Sequence, residues 1–201
     1  MGNTPTKALL QTTTGIMRMR GTWAEVATPG VDSKHLAFKS RSNYKKSSKV
    51  YRNETVLAEA NSTNTKIRID LSDQRTQLMV GEMVALDSPC CTGKAGKRTP
   101  RGTFPIQEKI RNKRSTIFGS LYRRGSKVYG GDRRRYRGRY DRYVGASLPY
   151  WMRLTGDGIG MHGSKYVHRY PGSNGCIRVP HSVVPTIYNK VRKGTPIHVV
   201  E

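Results

Sequence analysis

From Lys66 onward the chain alternates. Ile67, Ile69 and Leu71 are separated by Arg68 and Asp70, with Lys66 ahead of them. A period of two puts the apolar set on one face and the charged set on the other, the pattern of a half-buried strand. Ser72-Asp73-Gln74-Arg75 then supplies turn chemistry. Leu78 and Val80 mark a second strand, Gly81-Glu82 a second turn, and Met83 to Cys91 a third strand. Strands joined by such short turns form a β-meander. The sequence therefore predicts a mainly β chain with one or two helices.

The rest of the chain falls into place around that meander. Thr92 to Gly102 is a Gly/Pro loop, and Thr103 to Gln107 reads as a short strand. Regular order resumes at Leu148–Leu154 and Gly158–His162, and Pro196 to Val200 closes with a strand. One helix of consequence is expected from about His181 to Lys193. There Val183, Ile187 and Val191 recur at i, i+4 and i+8, with Val184 and Tyr188 beside them. Pro185 fits in the first turn of such a helix, and Gly194 fits as its C-terminal cap. Residues 109–147 form a basic insert rich in Tyr and Gly, with thirteen Lys or Arg between 109 and 142. The run Arg133 to Tyr140 reads as a solvated, mobile loop.

Residues 1–63 lack sustained periodicity and are rich in Thr, Ser, Asn, Lys and Arg. Segment 39–49 holds too little apolar surface to offset the entropy lost on ordering it. The sequence predicts a flexible, basic, low-complexity arm over 1–63, with a short helix around Val56 to Ala60. The folded domain is expected over 64–201.

Charge narrows the partners. The formal net charge is +24 over 201 residues. Such a balance favours polyanions: nucleic acid, anionic lipid headgroups or an anionic cell wall. Nothing like a helix-turn-helix, zinc finger or other DNA-reading module appears, so no specific nucleic acid is expected. The basic arm and insert are expected to meet anionic polymers of the cell envelope. No apolar run approaches the roughly 20 residues of a membrane span. The N-terminus shows no apolar core of a secretory signal. The three cysteines include an adjacent pair, Cys90 and Cys91, and no CxxC. A disulfide framework is excluded as the basis of the fold, and the odd count leaves at least one thiol free.

That thiol is expected to be Cys176, in Ser173-Asn174-Gly175-Cys176-Ile177-Arg178. His162 lies fourteen residues upstream, in Gly160-Met161-His162-Gly163. A cysteine attacks carbonyls as the thiolate, and a neighbouring imidazole can generate it at neutral pH. Gly175 allows a tight turn in which amides converge, so the amides of Gly175 and Cys176 are the expected oxyanion donors. The second ring nitrogen of His162 needs an orienting acceptor, and the Gly163 carbonyl is the nearest candidate. Arg178, two residues past the thiol, shares its strand face and can grip a carboxylate with two hydrogen bonds. Ser173 and Asn174 are assigned with Arg178 to substrate binding. His162, His168 and Cys176 lack the spacing of a zinc site, and no metal or other cofactor is expected.

These residues resemble the active-site signature of the L,D-transpeptidase catalytic domain. That family carries a His-Gly pair, a variable loop, then Ser-His-Gly-Cys, an aliphatic residue and Arg. The matching residues here are His162-Gly163 and Ser173-Asn174-Gly175-Cys176-Ile177-Arg178. Ile67 to Gln74, Thr92-Gly93-Lys94, Thr99 to Phe104, Leu148 to Trp151 and Gly194 to Ile197 extend the resemblance over about residues 65–201. One departure is Asn174, where the family usually has His. The resemblance implies a β-sandwich-like mixed fold and a cysteine enzyme that acts on peptidoglycan stem peptides. It implies attack on the carbonyl of a diamino acid before a terminal D-alanine, loss of D-alanine, and a thioester. An amine of a second stem resolves the thioester as a cross-link between the third residues of two stems. A lipoprotein lysine, a D-amino acid or water are the other acceptors. Water would make the protein an L,D-carboxypeptidase. The substrate places the protein outside the cytoplasmic membrane, in periplasm or cell wall. The competing reading is a non-enzymatic, basic polyanion-binding protein with an idle thiol.

Overall fold

A computed structural model describes residues 32–201. Its eleven strands form two sheets. The meander is present as β2 (Thr65–Asp70), β3 (Arg75–Val80) and β4 (Met83–Pro89), all antiparallel. The short β1 (Tyr51–Arg52) adds to the outer edge of β4. β11 (Pro196–Val200) returns parallel to β2, with Ile197 beside Ile67, and β5 (Gly102–Pro105) covers its far side. The first sheet thus runs β1-β4-β3-β2-β11-β5. The alternation of Ile67 and Ile69 is real: both are fully buried.

The second sheet contains β6 (Glu108–Arg123), β7 (Ser126–Asp132), β8 (Arg142–Arg153), β9 (Gly160–Ser164) and β10 (Ile177–Pro180), in the order β10-β9-β8-β6-β7. Met152, Met161, Ile177 and Val179 from this sheet join Ile67, Leu78 and Leu86 from the first in one core. The fold is mainly β, as the alternation predicts, and β-sandwich-like, as the resemblance implies.

Three expectations change. The helix near the C-terminus, α3, is shorter than its apolar period suggests, Val184–Lys190. Residues 180–186 are wound by tighter i to i+3 bonds (Val183 to Pro180, Thr186 to Val183), and Val191 is already extended. Gly194, at φ +87, shapes the turn Arg192–Thr195 into β11 and does not cap α3.

The 109–147 insert is not a loop. It is the long hairpin β6–β7 together with the first half of β8. Its turn, Arg124-Gly125, has two consecutive positive φ angles (48 and 81), the backbone of the tight hairpin turn that matches strand twist. Arg133 to Tyr140 is compact as well: a 3-10 turn over Arg133–Arg135, then Tyr136 stacked on Tyr129 at 5.3 Å.

The expected arm over 1–63 is folded from Asp32. α1 (Ser33–Lys39) is capped by the Asp32 carboxylate, which accepts the His35 N–H at 3.1 Å. α2 (Glu54–Glu59) is capped by Asn53 and lies where the short helix is expected. α2 adds Val56 and Leu57 to the apolar core, while the stretch around α1 docks on a buried ion pair. Arg75 and Asp87 are both fully buried, Nε to Oδ1 at 2.8 Å. Ser47 and Lys49 carbonyls accept from the guanidinium at 3.2 and 3.1 Å. His35 Nε2 and Tyr44 Oη each reach Asp87 Oδ2 at 2.7 Å, and Phe38 and Tyr44 lie against the cation. A buried charge pair is tolerable when its remaining hydrogen-bonding capacity is met, and this segment meets it. The earlier part of the arm lies outside the described residues.

Candidate active site

β9 and β10 run parallel, with His162 beside Arg178 and Met161 beside Ile177. Met161, Ile177 and Val179 point into the core. Alternation therefore turns His162, Arg178 and, one step before β10, Cys176 to the opposite face. Cys176 is level with Gly160, so thiol and imidazole occupy diagonal positions on neighbouring strands.

His162 is buried and neutral. Its Nδ1 lies 2.9 Å from the Gly163 carbonyl. A carbonyl can only accept, so Nδ1 carries the proton and Nε2 keeps its lone pair. Burial, with smaller contributions from Arg178 and His181, pulls its pKa down to about 4. Trp151 stacks on the ring at 6.3 Å and is itself anchored by Glu108, which accepts the indole N–H at 2.9 Å. Gly163 has to be glycine for packing reasons. A Cβ there would lie 2.8 Å from Val184 Cγ1 and 3.2 Å from Pro149 Cγ.

Burial raises the Cys176 pKa, and the Gly160 amide and the Arg178 charge work against that rise. The thiol's hydrogen bond goes to the Gly158 carbonyl at 4.0 Å and not to the imidazole. The resting pair is thus a protonated thiol and a neutral base, not an ion pair.

The loop that carries the thiol is over-determined. Gly175 sits at φ +113, which a side chain would rarely adopt. Ser173 Oγ accepts the Gly175 N–H at 3.0 Å and donates to the Cys176 carbonyl at 2.6 Å. Thr99 Oγ1 donates to the Gly175 carbonyl at 2.7 Å and accepts the Gly93 N–H at 2.9 Å. Thr92 accepts both the Gly172 and Ser173 amides at 2.9 Å. In a trans peptide C=O and N–H point opposite ways. By holding the Gly175 carbonyl, Thr99 therefore also sets the direction of the Cys176 N–H.

Two expectations need correction here. The Gly175 amide is spent on Ser173, so it is not available to an oxyanion. The Cys176 amide has no partner among the described residues and is the donor that remains. Ser173 is 1% exposed and both its donor and acceptor are used inside the loop. Its hydroxyl is committed to positioning the loop. Asn174 is exposed beside the thiol. The Arg178 guanidinium is half-buried and in no ion pair among the described residues. Sequence reasoning missed Thr99 and Trp151. A threonine before Pro100 reads as a turn, and a tryptophan in a strand reads as core. The signal for Thr99 was Gly93, which has to be glycine because a Cβ there would lie 2.6 Å from Thr99 N and closer still to Lys97 O.

Residues 64–199 match the family model of the L,D-transpeptidase catalytic domain. The chain belongs to this family. Solved structures share its fold. An L,D-transpeptidase from Mycobacterium smegmatis aligns with TM-score 0.53 and 20% identity, covering 69% of this chain and 59% of that one. One from Stackebrandtia nassauensis aligns with TM-score 0.51 and 19% identity, covering 72% and 60%. The carbamoyl enzyme formed by Ldtfm and avibactam aligns with TM-score 0.51 and 26% identity, covering 69% and 49%. The chain thus spans about half to three-fifths of the length of these proteins. None of the curated proteins matches the sequence. Among the described residues no helix is long and apolar enough to cross a membrane.

Proposed function

We propose that this protein is a peptidoglycan L,D-transpeptidase that works by acyl transfer through Cys176. One observation carries the reading: the thiol shares a sheet face with an imidazole locked as its Nδ1–H tautomer, leaving Nε2 as the free base. Nε2 takes the thiol proton as sulfur attacks the carbonyl that precedes the terminal D-alanine. The Cys176 amide donates to the oxyanion, and Arg178 binds a substrate carboxylate. Collapse of the intermediate expels D-alanine as an amine, which takes the proton back from His162. A second amine then attacks the thioester and releases the thiol. The site of action is extracytoplasmic, where stem peptides are.

Mass spectrometry of the protein incubated with a tetrapeptide stem tests this. The expected product is an acyl adduct on Cys176 with one D-alanine released per adduct, and none in Cys176→Ala. With an acceptor amine present, a cross-linked product supports transfer. Tripeptide alone at high acceptor concentration makes the protein a carboxypeptidase. No adduct at all leaves a polyanion-binding protein with an idle thiol.

A further inference from the structure

The hairpin β6–β7 and the turn after it carry far more charge than a sheet needs. Between residues 109 and 142 thirteen Lys or Arg face two acids, Asp132 and Asp141. Both acids are used locally. Asp132 takes a two-point bond from Arg134, at 2.9 and 2.7 Å, and Asp141 accepts the Arg124 N–H at 2.7 Å. Eleven of the basic side chains are exposed, and ten of these are arginine. Arg133, Arg135, Arg137 and Arg139 are exposed within seven residues and are in no ion pair among the described residues. The first two start from an ordered backbone. The 3-10 turn fixes Arg133 and Arg135, Arg133 lies over Tyr143 at 4.9 Å, and Tyr136 stacks on Tyr129.

The preference for arginine matters. A guanidinium is planar, weakly hydrated and forms two parallel bonds to phosphate oxygens, where lysine acts as a point charge. Charges placed on an edge strand merely to prevent sheet-to-sheet pairing need no such choice and no such density; lysine commonly serves. The position matters too. The hairpin belongs to the sheet that holds His162 and Arg178. Phe118 of β6 touches Lys97 at 5.6 Å, and the Lys97 carbonyl is 3.8 Å from where a Cβ of Gly175 would stand. A polymer bound along the hairpin lies beside the nucleophile loop.

We propose that the β6–β7 hairpin and the Arg133–Arg139 turn form a binding surface for a phosphodiester-linked polyanion of the cell envelope. Such a polymer would hold the enzyme on its insoluble substrate. The choice of an envelope polymer over nucleic acid rests on the wall-directed function proposed above. The surface itself rests on the charges alone.

The test uses labelled poly(glycerol phosphate) and a single-stranded oligonucleotide of equal phosphate number, followed by fluorescence anisotropy from 50 to 200 mM salt. Each phosphate contact on a flexible strand contributes about 0.7 to the slope of log affinity against log salt. Replacing Arg133, Arg135, Arg137 and Arg139 by Gln should make the slope shallower by about 3. Over that salt range the wild type then loses roughly 50-fold more affinity than the variant. A second variant, Arg123→Gln with Lys127→Gln at the hairpin tip, should shallow the slope by about 1.4 on the same count. Both should keep the wild-type circular dichroism and Cys176 acylation by a soluble stem peptide. Unchanged slopes in both folded variants overturn the surface. Tighter binding of the oligonucleotide than of the polyol phosphate overturns its assignment to the envelope. The slopes are measured in Cys176→Ala as well, so a failure of acyl transfer leaves them untouched.

Discussion

Thr99→Val removes one hydroxyl and keeps the side chain's shape. Thr99 is 3% exposed, so water cannot take the hydroxyl's place. The change strands two buried groups at once, the Gly175 carbonyl and the Gly93 N–H. An unsatisfied buried polar group costs about 1–3 kcal/mol, so the pair should cost about 2–6 kcal/mol. Thr99→Ser keeps both bonds and loses one methyl, about 1 kcal/mol. Urea unfolding at constant m-value reads this difference. The functional effect follows from the shared peptide plane. Once the Gly175 carbonyl is loose, the Cys176 N–H no longer points at a fixed spot. Loss of one oxyanion donor costs up to about 10²–10³ in rate, and a misaligned donor should cost tenfold or more. Acylation of Cys176 by a stem peptide, followed by mass spectrometry, measures it, with Thr99→Ser near wild type. A Val variant within about 0.5 kcal/mol of wild type that also acylates at the wild-type rate would refute the clamp.

Other consequences can be measured directly. Asp87→Asn leaves the Arg75 guanidinium buried without its counter-charge; a loss of about 3–5 kcal/mol is expected, with new protease cleavage between residues 32 and 50. Gly163→Ala pushes a methyl toward Val184 and should destabilise by about 1–3 kcal/mol while slowing acylation, since the carbonyl that orients His162 moves. The depressed pKa of His162 predicts acid sensitivity. Below about pH 6.5 the unfolded chain takes up a proton that the folded site refuses until about pH 4. Stability from this site is full above pH 6.5 and falls by about 3 kcal/mol as pH drops to 4, a slope that His162→Gln should lack.

Much of this was legible in the residues. The period-two pattern at Ile67 and Ile69 marks a sheet because burial on one face leaves no other choice. Gly175 before Cys176 points to a tight turn that other residues rarely adopt. What the sequence concealed was held by polar groups. Segment 32–50 looks too polar to fold, yet it docks by completing the hydrogen bonds of Arg75 and Asp87, two residues that a hydrophobicity pattern scores as surface. The long β6–β7 hairpin is hidden for a similar reason. Its strands carry Lys, Arg and Gly where alternation expects apolar residues, because they extend beyond the core. Ser173 and Thr99 each satisfy two backbone groups of the nucleophile loop, and spacing alone cannot reveal which backbone groups a hydroxyl will find.

The pH profile of single-turnover acylation of Cys176 by a tetrapeptide stem tests the central pairing most directly. With a neutral imidazole as base, the wild-type rate should rise through about pH 4 and then stay level through neutrality. In His162→Gln the thiolate has to form unaided, so the rate should climb tenfold per pH unit across the neutral range. A wild-type rate that climbs in the same way would mean that His162 never takes the proton.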